Sequence, residues 1–220
     1  MKHLLPYYKR GLVFIYFPFY LLAFSYLEKH TSRFHVIHTS LDKYIPFCEV
    51  FIIPYLLWFF FIALTFLYFF FKAEDREFYH FISVLYAGMT IFLIVSALFP
   101  NGHFLRPKLF ERDNLFVTMV KGLYSIDTST NVLPSIHVFN TITSWVAISK
   151  EKRLSSKKYL QYFVSFLSLS IILSTVLLKQ HSIMDVITAF LLFIVLYPII
   201  YYPEKLTLPN FHKIFSLNQR

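Results

Sequence analysis

The stretch Asn131-Val-Leu-Pro-Ser-Ile-His137 places Pro134 and Ser135 just ahead of an apolar run, with His137 inside its first turn. Proline suits a first helical turn because its missing N–H has no intrahelical partner there, and Asn131 offers an upstream cap. The open N–H groups and positive dipole end of such a helix attract an anion, and a histidine beside it can exchange a proton with a bound phosphate. A second stretch, Lys179-Gln-His-Ser-Ile-Met-Asp185, sets His181 and Asp185 four residues apart, on one face of a helix and one turn apart. An aspartate that accepts from one imidazole nitrogen fixes the tautomer and frees the other nitrogen as a nucleophile. A third stretch, Asn101-Gly-His-Phe-Leu-Arg-Pro107, supplies Arg106, whose planar guanidinium matches phosphate oxygens.

The elements that must position these groups are membrane helices. The 220 residues are 57% hydrophobic and 21% aromatic, with 28 Phe and only 15% charged residues; long apolar runs in such a chain are spans rather than a soluble core. The expected fold is all-α, a polytopic membrane protein with six transmembrane helices in one bundle. The spans fall near residues 11–27, 47–71, 78–99, 134–149, 159–178 and 182–202, with an active-site loop over 100–133. The first run follows Lys2, Lys9 and Arg10 like a signal sequence, but it ends in Leu27-Glu-Lys without a small-residue cleavage site and is expected to be retained. Within the fourth span His137, Thr141 and Ser144 recur at near-helical spacing beside Asn140, a polar stripe expected to face the bundle interior. Gly88, Ser83 and Ser96 allow close helix approach in the third. Asp185 lies in the apolar sixth run, where a carboxylate is costly unless paired. Trp58 and the aromatic residues around it are expected to be mainly lipid-facing bulk and interfacial anchors.

The net charge of +9 does not point to nucleic acid. The most basic segment, Lys150 to Lys158, is short and lies between two spans, as orientation-setting cytoplasmic loops do. His30, His35 and His38 share a loop with no carboxylate or cysteine at a familiar ligand spacing, so no metal is expected. The single cysteine, Cys48, excludes an internal disulfide. With both termini cytoplasmic, thirteen of the 21 Lys and Arg fall on inner segments, among them Lys2, Lys72, Arg76, Lys205, Lys213 and Arg220. That satisfies the positive-inside rule and puts all three motif stretches on the outer face.

These motifs resemble those of the type-2 phosphatidic acid phosphatase superfamily, six-span membrane enzymes related to sphingomyelin synthases, inositol phosphorylceramide synthases and vanadium haloperoxidases. The family signature is Lys, six residues, Arg-Pro; then Pro-Ser-Gly-His; then Ser-Arg, five residues, His, three residues, Asp. This chain keeps Arg106-Pro107, Pro134-Ser135, His137, Ser174, His181 and Asp185, but has Phe99 for the Lys, Ile136 for the Gly and Thr175 for the Arg. The resemblance implies that His181 takes the phosphoryl group as a phosphohistidine and that Asp185 orients it. His137 would protonate the leaving oxygen and later activate water, while Arg106 and Ser135 hold the phosphoryl oxygens. It implies no metal and no cofactor. With two family cations missing, Lys179 or Lys108 is expected to supply replacement charge. His103, Tyr124 and Asp127 are secondary candidates for substrate recognition, with the ordinary role of loop residues as the simpler reading.

The expected protein is therefore a multi-pass enzyme of the cell membrane that hydrolyses a lipid phosphate at the non-cytoplasmic face, among membrane lipids and without nucleic acid. Transfer of a phospho-head-group to an acceptor alcohol is the chemical alternative, since the transferase branch lacks the Arg before its His-x-x-x-Asp pair. A non-catalytic lipid-binding or transport relative is the alternative outside enzymology, because intramembrane His and Asp also suit proton relays.

Overall fold

The computed structural model describes residues 5–31 and 33–203; Lys2, Lys205, Lys213 and Arg220, counted above for orientation, lie outside them. Among the described residues the chain is predominantly helical. Helix α1 (Leu5–Gly11) runs through a tight 3-10 turn (Leu12–Ile15) into α2 (Tyr16–His30). Then come α3 (Ile52–Lys72), α4 (Asp75–Leu98), α5 (Leu115–Ile126), α6 (Ile136–Lys150), α7 (Lys158–Leu177) and α8 (Ile183–Tyr201). Among the described residues, five helical stretches are long and apolar enough to cross a membrane: Tyr8–His30, Glu49–Lys72, Asp75–Leu98, Lys158–Leu177 and Ile183–Tyr201. Their outward side chains, such as Phe60, Phe166 and Ile194, stay exposed, as helices that are apolar all round do when lipid is their solvent.

Helix α6 differs in kind. Its 15 residues give a length of about 22 Å, short of the roughly 30 Å hydrocarbon core. It packs against α3, α4, α7 and α8, so neighbouring helices rather than lipid surround it. Asn140, Thr141 and Ser144 are accordingly buried, in the interior position their spacing predicts. Phe139 on α6 is fully buried with its ring over Gly88 of α4; a Cβ at Gly88 would lie 2.0 Å from that ring.

Two loop expectations need correction. Residues 100–133, expected to be a loop, are not loop throughout, because they contain α5. Its start is set by Asn114, whose side chain accepts from Val117 N at 3.0 Å, and its buried Val117 and Val120 face α3 and the turn before it. The polar link after α3 shrinks to Ala73 and Glu74, since α4 already begins at Asp75.

Two features tie the bundle ends. At one end Arg10 places all five N–H donors, on Asp75 Oδ1 and on the carbonyls of Phe69, Phe70 and Ala73 where α3 ends. At the other, two short parallel strands, β1 (His35–Val36) and β2 (Asn101–Gly102), bring the loop after α2 and the loop after α4 together. Gly102 is required there, because a Cβ would meet Ser129 O at 2.6 Å. The side chain of Asn101 accepts from Val132 N and Leu133 N at 2.9 and 2.8 Å, which binds the Arg106 stretch to the stretch leading into α6.

Candidate active site

The three motif stretches meet at one end of the bundle. Ser182 is the N-cap of α8, and Ser182-Ile-Met-Asp185 forms a capping box, in which the fourth residue folds back over the first. Asp185 Oδ2 accepts from Ser182 N at 2.8 Å and from His181 Nδ1 at 3.3 Å. The sequence reading put both residues on one helical face; His181 instead lies just ahead of the helix, and the capping geometry brings its ring to the carboxylate. The turn before it is set by Thr175, whose carbonyl accepts from both Gln180 N and His181 N, and by Lys179 at φ 52°, the left-handed position that ends many helices. Asp185 is fully buried and His181 keeps 7% of its surface. With Nδ1–H on the carboxylate, Nε2 is the free nucleophilic atom.

His137 enters from the first turn of α6. Ser135, not Asn131, is its N-cap: Ser135 Oγ accepts from Val138 N at 3.4 Å, and Ser135 N donates to Asp185 O at 3.1 Å. Helix α6 therefore begins at Ile136, after Pro134, and Asn131 turns away at φ 55° to donate to Thr31 Oγ1. The His137 and His181 rings lie 5.7 Å apart, centroid to centroid. The first N–H groups of α6 have no intrahelical partner, and that of Val138 is taken up by the Ser135 hydroxyl.

Several residues of the site were not singled out in the sequence. Trp58 is not a lipid anchor: its ring lies 4.3 Å from that of His137, and its Nε1 donates to His137 O at 3.1 Å. Tyr55, 1% exposed, bonds His137 Nε2 at 3.1 Å and donates to Asp127 Oδ2 at 2.9 Å. Gln180 Nε2 also donates to Asp127 Oδ2, at 3.0 Å. Asp42 reaches across from the loop after α2 and accepts from Ser182 Oγ at 2.6 Å and Ile183 N at 2.9 Å. Burial raises its carboxyl, but these bonds and those from Thr39 outweigh it and hold the group below its ordinary value.

The expected phosphate ligands are placed differently from one another. Arg106 stacks 4.4 Å over the Tyr124 ring and donates to the carbonyls of Tyr124, Asp127 and Thr128 and to Gln180 Oε1. Its fork is thus occupied by the protein, immediately behind the residue that precedes His181, and burial lowers its pKa. Lys179 is not brought to the rings: its ammonium donates to the carbonyls of Asp42 and Ile45 and anchors the turn. Lys108 is exposed on the loop. Thr175, at the position where the phosphatase signature it resembles has arginine, points its hydroxyl at Ile172 O. Cavities of about 280 and 220 Å³ lie elsewhere, the first at the opposite end beside Glu74, Lys150 and Tyr201, the second beside Leu27, His30 and Arg33. Neither is lined by His137 or His181, so the site is defined by its side chains.

The three secondary candidates are all built into this end of the molecule. Tyr124 donates to Leu178 O at 2.6 Å, and Asp127 holds Tyr55 and Gln180. His103 is fully buried, with Nε2–H on Gln180 O at 2.7 Å and Nδ1 accepting from Leu105 N at 3.2 Å. Both ring nitrogens are satisfied in the neutral form. Burial lowers His103 to about 4 from 6.5, so the unfolded chain binds the proton first as pH falls. His103 should then cost stability between pH 6.5 and about 4, by about 1.4 kcal/mol for each pH unit. The melting temperature of the wild type should drop more from pH 7 to pH 5 than that of His103→Gln; equal drops would remove His103 as the cause.

The fold and site together define a helical protein with membrane-length apolar helices and a paired-histidine centre at one end of the bundle. Compared with known protein families, characterised proteins and solved structures, the chain matches none.

Proposed function

We propose that the protein is a membrane-embedded lipid phosphate phosphatase working through a phosphohistidine. The observation that carries this reading is the meeting of the His181–Asp185 pair with His137 at adjoining helix N-termini, starting from two stretches more than 40 residues apart in sequence. Histidine oriented by a carboxylate beside a second histidine suits nucleophilic attack with proton exchange. Helix N-termini suit the anion. In this reading α6 is a membrane pass too, the fourth of six, shortened because protein surrounds it. Both termini are cytoplasmic and the site opens on the outer face of the cell membrane.

His181 Nε2 attacks phosphorus, and Asp185 stabilises the positive charge the ring acquires. Ser135 and the open N–H groups of α6 meet the phosphoryl oxygens. Arg106 contributes charge from behind Gln180, and Lys108 meets the phosphate from the loop. The occupied fork of Arg106 and the absence of a cation at Thr175 favour a substrate held chiefly by N–H donors and hydroxyls.

The test is phosphate release by the detergent-purified protein from phosphatidic acid, phosphatidylglycerol phosphate and polyprenyl pyrophosphate, each with and without diacylglycerol or ceramide. Release without acceptor supports hydrolysis. A new phospholipid formed only with acceptor replaces hydrolysis by head-group transfer, and no turnover in either arm overturns the enzyme.

A further inference from the structure

The two histidines are held in complementary ways. His181 gives Nδ1 to Asp185. His137 gives the other nitrogen, Nε2, to Tyr55. Tyr55 has one hydroxyl proton, and the Asp127 carboxylate 2.9 Å away is an acceptor, so that proton belongs to the Tyr55–Asp127 bond. The tyrosine oxygen is then left to accept, and the hydrogen between it and His137 sits on Nε2. Gln180 supports the same polarity, because its Nε2 donates to Asp127 Oδ2 at 3.0 Å and to the Tyr55 oxygen at 3.4 Å. A chain running the other way would leave the tyrosine oxygen and the Asp127 carboxylate facing each other without a proton. His137 Nδ1 is buried and has no hydrogen-bond partner. A polar atom in that condition is costly, and here it lies on the ring that faces His181.

We propose that Tyr55 and Asp127 are positioning residues that hold His137 as its Nε2–H tautomer, making Nδ1 the atom through which protons move in the reaction. The inference deepens the phosphatase reading and rests on it for its catalytic part. A lipid phosphate monoanion brings one proton. When the His181 Nε2 lone pair forms the P–N bond, the P–O bond to the lipid breaks and its electron pair stays on the lipid oxygen. The substrate's proton passes from the phosphate to His137 Nδ1 and on to that oxygen, giving the alcohol. Water then attacks phosphorus, the P–N pair returns to His181 Nε2, and the proton lost by water passes through Nδ1 and leaves with the phosphate. Tyr55 keeps its own proton throughout, and its role is to hold the ring and its tautomer.

Two measurements test this. In the full-length protein labelled with ¹⁵N-histidine in detergent, long-range ¹H–¹⁵N correlation reads the tautomer of each ring, and loss of signals in His137→Gln assigns them. The expected result is a proton on His137 Nε2 in the wild type and a mixture of tautomers in Tyr55→Phe. A wild-type proton on Nδ1 overturns the proposal whatever the activity. In turnover, Tyr55→Phe should lower kcat on a lipid phosphate by about 10- to 100-fold, less than the full loss of acid–base catalysis, with KM within about twofold. The first-turnover rate with nitrophenyl phosphate, whose leaving oxygen needs no proton, should fall far less. Equal losses on both substrates overturn the proton role of His137 Nδ1. Asp127→Asn gives the same comparison if Tyr55→Phe fails to fold. A wild type inactive on every ester would defeat the phosphatase reading, and the tautomer measurement would still decide this one.

Discussion

On the proposed mechanism, replacing His181 by alanine should lower phosphate release by about 10⁴-fold or more, because the atom proposed to bond phosphorus is removed. The wild type, quenched during turnover of a ³²P-labelled lipid phosphate, should retain an acid-labile, alkali-stable label, and His181→Ala should retain none. Asp185 complicates the variant. It is fully buried, its Oδ1 is already without a partner, and its Oδ2 would keep only the Ser182 N–H. Some loss of stability is therefore expected, and His181→Gln, whose amide can still donate to the carboxylate, separates the two effects. A label that persists in either variant, or release within about tenfold of the wild type, would remove His181 as nucleophile, since general acid–base help alone is worth about 10²–10⁴.

Asp42→Ala should cost about 3 kcal/mol of stability, since a buried charged acceptor is lost and Ser182 Oγ and Ile183 N are stranded. For a chain of this size that is a fall of about 6–12 °C in melting temperature. The carboxylate also supplies negative charge at the N-terminus of α8, where the helix dipole favours it. Its folded-state pKa is depressed, so this contribution is present above the ordinary carboxylate range and is lost as pH falls through the folded value. Activity should fall with stability, because Ser182 adjoins His181. Asp42→Asn, which keeps an acceptor oxygen, should lose less. A melting temperature in Asp42→Ala within about 2 °C of wild type would show that the loop does not hold the helix.

The sequence was legible where its information is local. Apolar runs place the long helices to within a few residues, and Ser182-Ile-Met-Asp185 announces a helix start. His137, His181 and Asp185 stand out as polar groups in apolar runs, and their meeting follows from helix ends on one side. Tyr55 and Trp58 were illegible for the opposite reason: among the aromatic residues of α3 nothing local marks two as site residues. Their partners lie 72 to 82 residues away. Asp42 bonds Ser182 across 140 residues and sits in a loop of ordinary polar composition. Helix α5 did carry a signal, an asparagine cap before an apolar run, which the surrounding charges obscured. Lys179 looked like a phosphate ligand because only its spacing from His181 could be read, and its side chain follows the carbonyls of the Asp42 loop instead.

The five donors of Arg10 have a consequence for how the protein is made. During synthesis the first apolar helix emerges with a guanidinium near its start and no partner for it. The carbonyls of Phe69, Phe70 and Ala73 and the carboxylate of Asp75 are about 60 residues further along the chain. Until the turn between α3 and α4 has left the ribosome, Arg10 can be satisfied only by water or lipid head groups, so the helix waits at the membrane surface level of that end. Emergence of Asp75 from the ribosome supplies these partners together and fixes the first helix against the hairpin of the next two. A nascent chain arrested before residue 70 should therefore leave its first helix free to slide or leave the bilayer, and one arrested well beyond Asp75 should hold it.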